Sequence, residues 1–317
     1  MKHINKPLNF LVAGGAGYIG SVTTALLLNH GHNVTVLDNL STGHRQAVHP
    51  DARFVKGDIS DKLIIGEICR ESIDVILPFA AYIEVGESVL NPSKYYENNL
   101  IKSIRFLDNI REFGVQNIVF SSTAAVYGEP EITPLTEDAA LHPVNPYGWT
   151  KLLTEQVLRD YGQSYNLRSV SLRYFNAGGA SGDFGEGHHP ESHLIPRILN
   201  SAASDSPIEV YGTDYNTRDG SCIRDYIHVK DLAYAHLMAA QYLYGGGKSD
   251  CFNLGSGNGF SVLEVISAAE KVVGRSIQYS IAPRREGDSA VLVASSEKAQ
   301  RILGWEKMDS ALENIVE

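Results

Sequence analysis

The segment NFLVAGGAGYIGSVTTALLLNHGHNVTVLDN, residues 9–39, constrains the fold more than any other part of the chain. An apolar run gives way to Gly14, Gly17 and Gly20, then to a helical pattern, then to a second apolar run that ends at Asp38. Glycines at this spacing let the backbone turn tightly and approach a pyrophosphate, whose charge the N-terminus of the following helix stabilises. A carboxylate ending the next strand accepts hydrogen bonds from both hydroxyls of an adenosine ribose and repels a 2′-phosphate. The segment therefore predicts a dinucleotide site that prefers NAD to NADP. Taken singly, the glycines predict only a tight turn, and Asp38 only a turn residue before Asn39.

The same rhythm continues through RFVKGD, DVILPFA, NIVFSS and RSVSLRYF, which read as strands with amphipathic stretches between most of them. Strands alternating with helices predict βαβ units and a mainly parallel sheet, and the nearly continuous apolar runs fit strands covered on both faces. After Asn176 the pattern breaks: AGGASGDFGEGHHPESH holds five glycines without periodicity and reads as a long loop at a domain junction. Beyond it come a helix around LIPRILNSAA, short strands near IEVYG and CFNLG, and a helix through SVLEVISAAEKVVG. With 317 residues, 43% of them hydrophobic, the chain has room for about two domains. The expected fold is α/β, with a doubly wound, mainly parallel sheet over 1–176 and a smaller mixed α/β substrate domain over 177–317. A segment near 222–246 is expected to return to the first domain.

A formal net charge of −10 with no basic run argues against nucleic acid, so any phosphate must be met locally. Cys69, Cys222 and Cys251 are odd in number and lack a CxxC pair, which predicts neither a disulfide framework nor a zinc knuckle and points to a reducing cytoplasm. Glycines interrupt the apolar run of the opening MKHINKPLNFLVAGGAGYIG, and no apolar span reaches the ~18 residues of a membrane helix, so no leader and no membrane partner are expected. His188, His189 and His193 in GHHPESH raise a metal site, but Pro190 disrupts a helix and no cysteine or acidic cluster completes the shell. No metal is expected, and the segment reads as a glycine-rich substrate loop.

Two stretches carry chemistry, FSSTAAVYGEP and NPYGWTK. Tyr147 and Lys151 stand one turn apart at the start of a helical run and so share a face. An ammonium close to a phenol favours phenolate, and since free tyrosine titrates near ~10, a base working at neutral pH needs that shift. An isolated YxxxK is an exposed pair on a solvated helix. Here Ser121, Ser122 and Thr123 end the strand NIVFSS, and ligands in open α/β sheets bind beyond the carboxyl ends of strands. Thr123 can then share a substrate hydroxyl with Tyr147.

On these residues the chain resembles the extended short-chain dehydrogenase/reductases, and within them the UDP-glucose 4-epimerase family, over nearly its whole length. GGAGYIGS, DNLSTGH, SSTAAVYGEP, NPYGWTK, LRYFNAGGA, HLIP, YGTDYNTRDGSCIRDYIHVKDLA, NLGSG and RREGD carry the resemblance. It implies a Rossmann domain with bound NAD, a UDP-sugar substrate, and a homodimer built from helices beside the sheet. It makes Tyr147 the base, Lys151 the group that holds the nicotinamide ribose, and Thr123 the shuttle or anchoring hydroxyl. At the cofactor it implies Gly14, Gly17, Tyr18, Ile19 and Gly20, then Asp38 and Asn39. Asp58 and Ile59 would lie at the adenine, with Phe79, Ala80, Ala81, Asn98 and Tyr174 as further contacts. For the substrate it implies Arg224 and Arg285 on the diphosphate, where a planar guanidinium donates bidentately. Asp288 would meet the uridine ribose, Asn176, His193, Leu194 and Tyr211 would make further contacts, and Leu292 would be the sugar gatekeeper.

Ala124 and Ala125 narrow the reaction. In the sugar-nucleotide dehydratases of the superfamily an acidic pair follows the hydroxyl residue and drives water out, and in the decarboxylases an acid also stands there. A site without that acid moves a hydride and a proton but has little means of eliminating water. The expectation is NAD-dependent epimerisation at C4 of a UDP-hexose through a bound 4-keto sugar, with UDP-N-acetylhexosamines admitted beside Leu292. The alternatives are another extended short-chain epimerase or dehydrogenase, which as a dehydrogenase would accumulate free NADH, and a dinucleotide-sensing protein, which needs no proton-transfer set. Two departures from the family pattern stand out: Ile83 replaces a lysine that some members place near the cofactor diphosphate, and the chain ends at LENIVE, short of the usual tail.

Overall fold

The apolar runs of the N-terminal half pair side by side in a computed structural model, which describes residues 6–187, 191–204, 206–285 and 288–317. In chain order the first half contains β1 (Asn9–Ala13), α1 (Tyr18–Asn29), β2 (Asn33–Asp38), β3 (Arg53–Lys56), α2 (Lys62–Ile68) and β4 (Val75–Pro78). Next come α3 (Val85–Leu90), α4 (Pro92–Tyr95), a π-helical turn (Tyr96–Ile101), α5 (Lys102–Glu112), β5 (Asn117–Thr123), α6 (Pro146–Tyr165) and β6 (Arg168–Tyr174). The second half contains β7 (Asn176–Gly178), α7 (Leu194–Ser204), β8 (Ile208–Tyr211), β9 (Ile223–Arg224), β10 (Tyr226–His228), α8 (Val229–Tyr244) and β11 (Asp250–Leu254). It closes with β12 (Phe260–Ser261), α9 (Val262–Val273), β13 (Tyr279–Ala282), β14 (Val291–Leu292), α10 (Glu297–Leu303) and α11 (Leu312–Val316).

Seven strands form one parallel sheet in the order β11-β6-β5-β4-β1-β2-β3. Both faces are covered, which explains the continuous apolar runs. Phe10 and Val12 of β1 join a core shared with α8 and α10, while Leu11 and Ala13 of the same strand join a second core shared with α2 and α5. CFNLG, expected among the mixed elements beyond the loop, is β11 and extends the main sheet beside β6. The helix before it, α8, packs on α1 and behind β5 and β6.

Strand order reverses at β1, whose neighbours are β2 on one side and β4 on the other, so a crevice opens beyond the strand ends there. The glycines serve that crossing in different ways. Gly14 has φ +87°, and a Cβ on it would lie 2.5 Å from the Ala80 nitrogen at the end of β4. A Cβ on Gly20 would lie 2.3 Å from the Gly14 oxygen, so this residue brings α1 against the loop.

The rest of the second half builds three small sheets, β7 with β10, β12-β9-β14, and β8 with β13. Their core is Ile195, Ile198, Val210, Tyr226, Val265, Ile266 and Ile315 with their neighbours. Among the described residues no helix is long and apolar enough to cross a membrane.

Candidate active site

Every residue that the sequence assigns to the cofactor lines one cavity of about 410 Å³ beyond the carboxyl ends of the strands. Gly17 caps α1 with no side chain over the helix N-terminus, which leaves that end open to the cavity. Asp38 is buried at the end of β2, where one oxygen accepts from Ala16 N at 3.0 Å and the other from Leu40 N at 2.8 Å. Each carboxylate oxygen keeps a second lone pair for a ribose hydroxyl, so the turn reading and the ribose reading are compatible. Asp58 accepts from Lys102 Nζ at 2.6 Å and from Ser60 Oγ at 2.7 Å. Burial alone would raise its pKa, but these bonds outweigh it and bring it down to about 2. A glycine-lined helix end, a ribose acceptor one strand over and an apolar wall of Ile59, Phe79 and Ala80 fit a dinucleotide.

The residues expected to transfer protons come together at the end of β5. Asn145 accepts from Gly148 N at 2.8 Å and caps α6, with Pro146 in the first turn, so the helix begins where Tyr147 can face the strand end. Thr123 and Tyr147 line the same cavity there, and the Thr123 hydroxyl is close enough to the phenol to act on it electrostatically. Lys151 Nζ donates to Ser121 O at 2.8 Å and lies 5.9 Å from the centre of the Tyr147 ring. Burial pushes the Tyr147 phenol up to about 12 against the nearby Thr123 hydroxyl, and pulls Lys151 down to about 8 against the charge of Glu155. Burial thus works against the phenolate expected from the sequence, and the Lys151 ammonium is held by a backbone carbonyl.

Behind these residues lies a buried ion pair. Glu155 accepts from Arg173 Nη2 at 2.6 Å and from Arg173 Nε at 3.0 Å, with both side chains 4% exposed. Glu155 also accepts from Ser122 Oγ at 2.5 Å, and Arg173 donates to the Tyr127 hydroxyl at 3.0 Å. The pair thus joins α6, β5 and β6, the three elements that carry Tyr147, Thr123 and Tyr174.

At the sugar end, Asn176, His193 and Leu292 line the cavity with Ala124, Ala125 and Phe175. Leu292 packs on the apolar group of Ala124, Val126, Tyr127, Leu135 and Phe175. His193 Nδ1 meets Glu186 at 2.8 Å and Glu191 at 3.0 Å. Burial would lower its pKa, but Glu186 and Glu191 overcome it and raise it to about 9, so the ring is cationic. The sequence reading found no acidic cluster beside the histidines; the fold brings Glu186 and Glu191 to His193, with possible ligand atoms all within 4.8 Å of one another. His188 and His189 lie outside the described residues.

Leu194, Tyr211, Arg224, Arg285 and Asp288 do not line the cavity. Leu194 begins α7. The other four form a neighbouring group in which Arg224 Nη2 meets Asp288 at 3.0 Å and the Arg285 guanidinium stacks 3.8 Å from the centre of the Tyr211 ring. Sequence reasoning missed Ser121, Tyr82, Glu186 and the Ser41–Thr42–Gly43 turn, all in the cavity wall. The turn follows Asp38 directly and Ser121 opens the hydroxyl cluster, so both carried a signal, whereas Tyr82 and Glu186 sit in stretches without pattern.

The NAD dependent epimerase/dehydratase family is matched over residues 10–255. The chain is 49% identical over 314 residues to a UDP-glucose 4-epimerase of Lacticaseibacillus casei, covering 98% of this chain and 95% of that protein. Among solved structures, UDP-glucose 4-epimerase from Brucella ovis in complex with NAD superposes with a TM-score of 0.94 at 46% identity, covering 98% and 96% of the two chains. The UDP-Glc/GlcNAc 4-epimerase of Campylobacter jejuni superposes with a TM-score of 0.86 at 41% identity, covering 98% and 97%.

Proposed function

The chain belongs to the NAD dependent epimerase/dehydratase family, and from that premise we propose that it inverts C4 of a UDP-hexose with bound NAD, interconverting UDP-glucose and UDP-galactose. The observation that carries this reading is the placing of Thr123, Tyr147 and Lys151 in one cavity where Ala124 and Ala125 stand in place of an acid.

Gly14, Gly17 and Gly20 would take the pyrophosphate and Asp38 the adenosine ribose, with Lys151 placed for the second ribose. Bound NAD supplies a reversible hydride acceptor and a cationic ring, so that C4 is oxidised to a ketone and reduced again with no net redox. Tyr147 takes the proton of the 4′-hydroxyl and returns it after the sugar has turned, while Thr123 holds the same hydroxyl in line. Because burial keeps Tyr147 protonated, it becomes a base only as positive charge gathers beside it, and Lys151 is part of that charge. With no further acid at positions 124 and 125, water is not expelled from the 4-keto sugar. Arg224, Arg285 and Asp288 would hold the nucleotide while the hexose rotates, and Asn176, His193, Leu194 and Tyr211 would border it.

Several further assignments belong to this reading. The cofactor domain spans 1–176 with 222–246 returning to it, which the packing of α8 on α1 supports. The protein is a homodimer through α6 and the π-helical turn, where Trp149 and Ile101 are exposed. It is cytoplasmic, in keeping with three unpaired cysteines. The test is incubation with UDP-galactose or UDP-N-acetylgalactosamine, without added reductant, followed by product identification. Free NADH accumulating with turnover, or protein without dinucleotide and without product, would overturn the reading.

A further inference from the structure

Behind the sugar end of the cavity, a chain of buried hydrogen bonds runs from α6, which carries Tyr147 and Lys151, towards β14, which carries Leu292. It starts at Glu155, which holds Arg173 through Nε and Nη2. The remaining arm of the guanidinium, Nη1, donates to the Tyr127 hydroxyl at 3.0 Å, and that hydroxyl donates to Asn253 Oδ1 at 2.6 Å. Asn253 Nδ2 donates in turn to Leu135 O at 2.9 Å. The directions agree with the chemistry of each group: a guanidinium only donates, so the phenol proton goes to the amide oxygen, and the amide turns its amino group to the carbonyl. Burial pushes the Tyr127 phenol up to about 12, so it keeps the proton that it donates. Glu155, Arg173, Tyr127 and Asn253 are all buried.

Leu135 passes the connection on through its backbone. Its N donates to Val293 O at 2.8 Å and its O accepts from Ser295 N at 2.7 Å, so it bridges to Ala294, just beyond Leu292. Tyr127 also closes the short turn Ala124–Val126, with its N donating to Ala124 O at 3.0 Å. Tyr127 does not itself line the cavity, whereas Ala124, Ala125 and Leu292 do. We infer that Tyr127 is a positioning residue for the hexose: its hydroxyl sets the spacing between the Ala124–Ala125 turn and the Leu292 strand, and ties both to the helix of Tyr147. The inference rests on the proposed inversion of C4. In that reaction the hexose turns over between these walls and must meet one base in the same register on either face, so an error in their spacing costs rate rather than nucleotide binding.

The experiment compares wild type with Tyr127→Phe, which keeps the ring and removes the hydroxyl, and with Asn253→Leu, which cuts the next link. Turnover of UDP-galactose is measured on the NAD-bound proteins and expressed per bound NAD, beside inhibition by UDP and thermal unfolding. Tyr127→Phe is expected to lower kcat about tenfold, with KM for UDP-galactose and inhibition by UDP changed less than about twofold, since the nucleotide keeps its own contacts. Asn253→Leu should do the same, and the double variant should be no slower than the slower single, because both break one chain. A role in stability alone would lower the unfolding temperature and leave kcat per bound NAD at the wild-type value, which overturns the inference. Losses that multiply in the double variant overturn it as well. If one variant fails to fold, the other decides. Wild-type protein that does not turn over UDP-galactose overturns the proposed reaction and the inference with it, whereas an active wild type beside an unimpaired Tyr127→Phe overturns the inference only.

Discussion

Lys151 and Tyr147 share a face of α6 without a bond between them: the Lys151 ammonium lies 5.9 Å from the centre of the phenol ring and is held by Ser121 O at 2.8 Å. The two groups therefore act on each other through space in a dry site, where a charge is felt strongly and is expensive to keep. Helix, strand end and ion pair have to hold both in place, because neither gains stability from being there.

That cost is measurable in Lys151. Its pKa falls from 10.5 in the open to about 8 in the fold, so between those values the unfolded chain binds more protons and stability rises with pH. Below pH 8 the full penalty is present, and above 10.5 it is gone. Lys151→Met should stabilise the cofactor-free protein at pH ~7, by on the order of 2 kcal/mol after the lost bond to Ser121 is deducted, and should lose this advantage above pH ~10.5 while being inactive throughout. Urea unfolding at both pH values checks it, and a Lys151→Met protein weaker than wild type at neutral pH would refute the burial argument.

Tyr147→Phe keeps the ring and removes the proton acceptor. Turnover of UDP-galactose should fall about 10²-fold or more, while bound NAD is retained, since the cofactor keeps Asp38 and the glycine loop. A rate near wild type would remove Tyr147 from the chemistry.

Asp38 holds its own turn and, in the proposed reading, a ribose, and substitutions separate the two. Asp38→Ala deletes the ribose acceptor and the repulsion of a 2′-phosphate, and frees Ala16 N and Leu40 N. NAD affinity should drop by about a hundredfold or more and NADP affinity much less, because each of the two charge-assisted bonds contributes about 1.5–3 kcal/mol to NAD alone. Asp38→Asn, which still accepts from one of the two N–H groups, should fall between. Equal losses for both cofactors in titrations would show that only the turn was damaged.

The parts legible in the sequence were those set by short-range pattern. Residues 9–39 showed strand, glycine loop, helix and acid because each obeys a local rule. The shared face of Tyr147 and Lys151 follows from helical periodicity. The partner of Lys151 was not legible, since it is a backbone carbonyl of β5. Arg173, inside an apolar strand, and Glu155, inside a helix, carry no mark that they find each other. CFNLG looks the same whether it edges a small sheet or, as β11, closes the large one.

The ion pair of Glu155 and Arg173 should behave as a buried pair does. Removing one partner, as in Glu155→Leu or Arg173→Met, leaves an uncompensated buried charge or breaks its bonds, and should cost about 3–5 kcal/mol. The double replacement should recover most of that stability. Denaturant midpoints of the three variants decide it, and a double variant as unstable as the sum of the two singles would show that the pair is not acting as a unit.

The last prediction concerns which sugars fit. Leu292 pairs in register with Arg224 across β14 and β9, and Asp225 N donates to Leu292 O at 3.0 Å, so the backbone that carries this side chain is held beside Arg224. It lines the cavity together with Ala124 and Ala125, the two small residues that follow Thr123. A leucine there should leave room for a 2-acetamido group, and the chain should therefore epimerise UDP-N-acetylglucosamine as well as UDP-glucose. Leu292→Tyr would overfill the pocket on the side of that group, costing roughly 1–3 kcal/mol, or about ten- to a hundredfold in rate, for the acetamido sugar. Specificity constants for both sugars in wild type and variant are the measurement. Loss of both substrates in equal measure, or no acetamido activity in wild type, would take the gatekeeper role from Leu292 while leaving the chemistry of Tyr147 and Thr123 as it stands.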